Sequence, residues 1–152
     1  MIEYLEEAQE ELKRVDHLIY VSLKYTRTAD ILLNAINRMI DAYDLVFSAI
    51  LEKAAEDGKV PEIPATPIER GVAVKEIYSE DQQIHDNVEL CFLLRKIHRA
   101  PNPLKDQEYR RHVSMTVVVE GREEVVNIDI ITQYYHFQRE FFDRILVLLK
   151  GE

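Results

Sequence analysis

The sequence predicts a mainly α protein: an antiparallel bundle of four long helices plus one short helix, with a β-hairpin inserted before the last helix. Three observations carry that expectation. Apolar residues recur at spacings of three and four over most of the chain. Capping residues, prolines and glycines mark the joins between those periodic stretches. One stretch alone, His112 to Glu120, switches to strict alternation. The 152 residues suit one domain spanning the whole chain, because two separate cores of half that size would each be marginal.

The first helix is expected over about Ile2 to Lys24, where Ile2, Leu5, Leu12, Val15 and Ile19 share a face. Glu3, Glu6, Glu7, Glu10 and Glu11 crowd its beginning, which the helix dipole favours. The break after it is weakly signalled, since Tyr25, Thr26 and Thr28 are only mediocre helix formers. A second helix follows from about Thr28 to Asp57. Its apolar stripe, from Ile31 through Leu51, is wide enough to meet neighbours on two sides, and Gly58 supplies a stop. Pro61 and Pro64 make the next stretch an extended connection. Thr66-Pro67-Ile68-Glu69 then opens a short third helix ending near Tyr78: Thr66 caps, Pro67 takes the first helical position and Glu69 completes a capping box. Ser79-Glu80-Asp81-Gln82 repeats the pattern and opens a fourth helix carrying Ile84, Val88, Cys91, Leu94 and Ile97, which stops before Pro101.

The hairpin is expected over about residues 112–128. Val113, Met115, Val117 and Val119 lie on one face, Glu120 to Glu123 turn, and Val125 to Ile128 return. A lone hairpin is marginal, so it must pack on the helices or pair with another chain. Asp129 is expected to cap a last helix carrying Ile131, Tyr134, Tyr135, Phe141, Phe142, Ile145, Leu148 and Leu149, with Gly151 at its end.

Composition narrows the function classes. Four Gly and five Pro exclude a collagen-like or low-complexity chain. Nineteen Lys and Arg against 28 Asp and Glu give a net charge of −9, which is unsuited to coating duplex DNA. The single cysteine, Cys91, permits no internal disulfide and sits in the apolar run Leu90 to Leu94, where a thiol acts as a small core hydrophobe. No apolar run approaches the roughly 18 residues of a transmembrane helix, and the first residues lack a signal-peptide pattern, so a cytoplasmic location without membrane contact is expected. The absence of Trp, the single Cys and the high charge content make the composition thermophile-like.

Two pieces of the first half carry a resemblance. Leu5-Glu6-Glu7-Ala8-Gln9-Glu10-Glu11-Leu12 opens a helix pair, and Asn34-Ala35-Ile36-Asn37-Arg38-Met39-Ile40-Asp41-Ala42-Tyr43 leads into an apolar run ending at Glu56-Asp57-Gly58. This resembles the first helix pair of HEPN domains, small antiparallel helical bundles of bacteria and archaea. The resemblance implies a dimer. It also implies one of three roles: a metal-independent ribonuclease, a companion of a minimal nucleotidyltransferase, or a module without known activity. Ribonuclease members carry an Arg followed four to six residues later by His. Here the nearest match, Arg95-Lys96-Ile97-His98, has two residues between, which departs from that pattern.

The chemistry-bearing residues concentrate in one segment. Between Arg95 and His112 stand Arg95, Lys96, Arg99, Lys105, Arg110 and Arg111 against Asp106 and Glu108, with His98 and His112 in addition. Arg95, His98 and Arg99 share one helix face. Cations settle at helix C-termini because the dipole favours them. The same residues also suit phosphate oxygens, so Arg95, Lys96, Arg99, Arg110 and Arg111 are candidates for weak RNA or nucleotide binding. If the chain is a ribonuclease, His98 is the general acid or base, Arg95 steadies the phosphate and His112 supplies the second proton transfer. No metal or cofactor is expected: Glu-x-x-His is absent, Asp81 and His85 make only two ligands, and there is no phosphate loop or zinc cysteine pair. The wide second-helix stripe, the aromatic last helix and an unpaired hairpin edge point to a homodimer. The expected function is therefore a non-catalytic dimeric interaction module accompanying a nucleotide- or RNA-handling protein such as a nucleotidyltransferase, the alternative being a ribonuclease built on Arg95, His98 and Arg99.

Overall fold

A computed structural model describes residues 1–151. Helix α1 (Ile2–His17) passes without a break into a π-helical stretch (Leu18–Ser22) and a final turn, α2 (Leu23–Tyr25). The π stretch has a reason in the sequence. Val15, Ile19 and Leu23 are all buried and are spaced by fours. At about 3.6 residues per turn such a row rotates off the core face. The wider π turn, with its i→i+5 bonds, keeps it there.

After an extended break, α3 (Ala29–Glu56) starts at Thr28, whose Oγ1 accepts from the Ile31 N–H at 3.4 Å. It ends beside Gly58, whose φ of +75° suits a residue without Cβ. Helix α4 (Pro67–Ile77) starts as the sequence predicts, with Thr66 Oγ1 accepting from the Glu69 N–H at 3.2 Å. Helix α5 (Gln82–Arg99) is capped by Asp81 rather than Ser79: Asp81 Oδ1 accepts from the Ile84 N–H at 3.1 Å. The last helix, α6 (Ile128–Lys150), is capped by Asn127 rather than Asp129, because Asn127 Oδ1 accepts from the Ile130 N–H at 2.8 Å. Gly151 closes α6 in the left-handed region at φ +72°.

The chain is thus mainly helical, with a small antiparallel sheet before its last helix. The sheet has three strands where two were expected: β1 (Leu104–Asp106), β2 (Ser114–Val119) and β3 (Arg122–Asn127), in the order β1-β2-β3. Strand β2 is therefore central, and the free edges belong to β1 and β3. The β2–β3 turn is the two-residue loop Glu120-Gly121, with both φ values positive at +52° and +79°, as tight hairpins require. Strand β1 is three residues long and exposed throughout, so it has no alternation from which to be recognised.

Helix α3 packs against α1, α4, α5 and α6 and forms the centre of the core. Tyr43, Phe47 and Phe141 cluster there, with ring centroids 5.7 to 6.4 Å apart. Met115, Val117 and Val126 close the core from the sheet side. Among the described residues no helix is long and apolar enough to cross a membrane.

Candidate anion-binding site

The basic segment is not one patch: Arg95 and Arg99 line one cleft, Arg111 lines another, and half of its cations are ion-paired. Arg95 is held by Asp44. Burial opposes the Arg95 charge, but the hydrogen bond and attraction from Asp44 outweigh it and raise the guanidinium's pKa. Lys96 pairs with Glu120 at 2.7 Å, and its hydrogen bond holds that carboxyl below the usual carboxylate range. Lys105 pairs with Asp30 at 3.1 Å. Arg95, His98 and Arg99 do meet, in a cleft of about 290 Å³ shared with Asn37, Asp41 and Asp44. Burial and the neighbouring carboxylates of Glu11 and Asp44 push the Asp41 carboxyl up. An incoming phosphate would meet those acids together with the cations.

Arg111 and His112 stand elsewhere. They line a larger cleft, about 590 Å³, with Ile19, Tyr20, Leu23, Lys24, Arg27, Asn127, Ile128 and Asp129. His98 and His112 thus belong to different clefts. Arg110 is exposed beside neither, and its backbone closes the loop: its N–H donates to Gln107 O at 3.0 Å and its carbonyl accepts from Val113 N–H at 3.1 Å.

Three chain segments build the larger cleft. The π stretch and α2 contribute Ile19, Tyr20, Leu23 and Lys24, with Arg27 just beyond. The loop between β1 and β2 brings Arg111 and His112, and β1 together with this loop is tied at three points to residues 27–30, around the start of α3. Lys105 pairs with Asp30, Glu108 Oε2 accepts from the Ala29 N–H at 3.1 Å, and Tyr109 N–H donates to the Arg27 carbonyl at 2.6 Å. Gln107 and Tyr109 hold left-handed backbone, φ +51° and +68°, which side chains other than glycine adopt only when their surroundings enforce it. The third wall is the β3–α6 junction. There Asn127 spends its Oδ1 on the helix cap and keeps its amide N–H₂ as a donor. The end of α1 and the π stretch are each bonded to α6: Tyr135 Oη donates to Asp16 Oδ2 at 3.0 Å, and Tyr20 Oη lies 2.7 Å from His136 Nε2. Burial and that acceptor push the Tyr135 phenol up to about 12.

The charge pattern distinguishes this cleft. Lys24, Arg27 and Arg111 take part in no ion pair among the described residues. They converge on a lining whose one carboxylate is Asp129. Sequence reasoning found Arg111 and His112 but missed Lys24, Arg27 and Tyr20. The weakly signalled helix break at Tyr25 to Thr28 was the available signal, since irregular backbone flanked by cations is a common setting for a binding site. No group of three or more His, Cys, Asp or Glu side chains that could hold a metal occurs among the described residues. Burial pushes the Cys91 thiol up to about 12, as suits a core residue. Comparison with protein-family models, curated proteins and solved structures finds no match to this chain.

Proposed function

We propose that the protein is a non-catalytic module that binds a phosphate-bearing ligand, RNA or a nucleotide, through the larger cleft. In this reading it works as a homodimer beside a nucleotide- or RNA-handling protein such as a nucleotidyltransferase. The observation that carries the proposal is that Lys24 and Arg27 from one segment and Arg111 from another line one cleft, none of them ion-paired among the described residues, in a chain of net charge −9. Three like charges gathered around one carboxylate, Asp129, still repel on balance, and an anion in the cleft reverses that cost. Arg forks suit phosphate oxygens in particular. The antiparallel bundle and the HEPN-like reading of the first long helices belong to the same proposal. Dimerisation is supported by the outward sheet face, where Leu104 and Val125 flank Thr116 in register and Val118 lies two residues on, all three apolar side chains exposed.

A second reading, a ribonuclease using Arg95, His98 and Arg99, is favoured by one observation: these three side chains line a single cleft. Against it stand the engagement of Arg95 by Asp44, the presence of Asp41 in the same cleft, and the placement of His112 in the other.

Anisotropy of a labelled single-stranded RNA in EDTA, with the product examined on a gel, tests both. The expected result is binding without cleavage. The affinity should fall with salt at a log–log slope of about −2, on the basis of roughly −0.7 per phosphate contact for single strands. Cleavage that His98→Ala abolishes would replace the first reading by the second. No binding at low salt would overturn both nucleic-acid readings.

A further inference from the structure

The cleft that carries the proposed function has two chemically unlike parts, and their combination narrows the ligand. One part is cationic: Lys24, Arg27 and Arg111. The other is apolar. Ile19 and Leu23 lie beneath it as core residues, 6% and 1% exposed, while Ile128 is half-buried and the exposed Tyr20 ring is hydrogen-bonded to His136. Backbone binding alone needs only a track of cations, and an apolar surface beside the cations adds a place for a base. Here these residues line a half-open cleft of about 590 Å³, a volume in the range of small-molecule sites. The polar groups at the β3–α6 junction complete the set, since the Asn127 amide donates and the Asp129 carboxylate accepts.

Charge separates a chain end from a chain interior. A phosphodiester carries one negative charge, whereas a terminal phosphate carries about −1.5 to −2 at neutral pH and offers three strong acceptor oxygens. Three cations outside any ion pair, against the single carboxylate of Asp129, match the second better than the first. The surrounding protein, at net charge −9, repels any polymer that extends past the cleft.

We propose that the larger cleft is a mononucleotide site. It takes a nucleoside 5′-phosphate, free or as the phosphorylated end of an RNA, with the phosphate on Lys24, Arg27 and Arg111 and the base against Ile128. The Tyr20 ring borders the base, and Asp129 accepts from a ribose hydroxyl or a base amino group. This rests on the reading of the cleft as the protein's anion site and adds the class of ligand. It also assigns a task to the loop from Gln107 to His112. By carrying Arg111 across to the α2 end, that loop lets one ligand join two segments far apart in sequence.

Calorimetric titration of the full chain at low salt tests the proposal. The probes are the four nucleoside 5′-monophosphates, the matching nucleosides, inorganic phosphate, and one short RNA prepared with a 5′-phosphate or a 5′-hydroxyl. At least one monophosphate should bind tenfold or more tightly than both its nucleoside and inorganic phosphate. Arg111→Ala, at an exposed loop position, should weaken that monophosphate tenfold with the thermal unfolding midpoint retained. Ile128→Ala should weaken the monophosphate several-fold and leave inorganic phosphate unchanged. If the 5′-phosphorylated RNA binds at least tenfold more tightly than its 5′-hydroxyl form, the ligand is an RNA end. If only the free monophosphate binds, it is a free nucleotide. Equal binding of the two RNA forms, with no monophosphate bound, would overturn the mononucleotide site while leaving a backbone-binding cleft. No binding of any probe would remove the anion site itself.

Discussion

Tyr43 and Asn87 show what a buried polar pair does in this core. Tyr43 Oη donates to Asn87 Oδ1 at 2.6 Å, and Asn87 Nδ2 donates to the Gln83 carbonyl at 2.9 Å, so both amide atoms of a fully buried Asn are used. Tyr43→Phe keeps the ring cluster with Phe47 and Phe141 but strips Asn87 Oδ1 of its partner. The expected loss is about 1 to 3 kcal/mol in urea unfolding, the usual cost of an unsatisfied buried acceptor. Cys91 makes a second test. With its thiol pushed up to about 12 by burial, it should be silent to a thiol reagent at pH 8 in the native protein and react at once in denaturant. Rapid labelling of the native protein would mean that the α5 core opens easily. The apolar neighbours of Cys91 made its burial readable in the sequence. Nothing in the sequence marked Asn87, because a polar side chain is buried only when a distant partner such as Tyr43 satisfies it.

At the scale of elements, caps account for most of what the sequence made legible and for two of its errors. Thr28, Thr66, Gly58 and Gly151 lie where their chemistry places them. Asp81 displaces Ser79 at the head of α5 because it also binds Arg144 of α6, with Oδ1 at 2.9 Å from Nη1, and so joins two helices. Asn127 displaces Asp129 for a comparable reason: it is the last residue of β3, and the strand delivers its side chain to the helix start. The Arg144 hydrogen bond holds the Asp81 carboxyl below its ordinary value. A depressed folded value means that the Asp81 contribution is complete above the unfolded pKa of about 4. It is lost as pH falls further, through the folded value. Asp81→Ala should cost about 1 kcal/mol at pH 7 through the cap. It should also flatten the fall of stability below pH 4, which urea melts at pH 7, 4 and 2.5 would register. Strand β1 and the π stretch escaped the sequence reading for physical reasons. A three-residue exposed strand has no period to detect, and a π turn differs from an α turn only through the spacing of Val15, Ile19 and Leu23.

At the scale of the molecule, the net charge of −9 and the cleft have to be considered together. Arg111 and His112 were legible as part of a basic segment. Lys24 and Arg27 were not, because only the fold brings the end of the first helix against a loop more than eighty residues away. The same folding step splits the segment and leaves Arg95 and His98 in a cleft that also holds Asp41 and Asp44. The outward apolar row at Leu104, Val125 and Val118 supports assembly, and light scattering at micromolar concentration should give twice the chain mass; a monomeric mass would contradict the dimer. The measurement that tests the central claim most directly compares the two clefts. A short single-stranded RNA carrying a 5′-phosphate is titrated at low salt into the wild type, into Lys24→Ala with Arg27→Ala, and into His98→Ala with Arg99→Ala. The account predicts that the first pair of substitutions weakens binding at least tenfold and that the second leaves it within twofold. Loss of binding in the His98 and Arg99 variant, with the Lys24 and Arg27 variant unaffected, would contradict it.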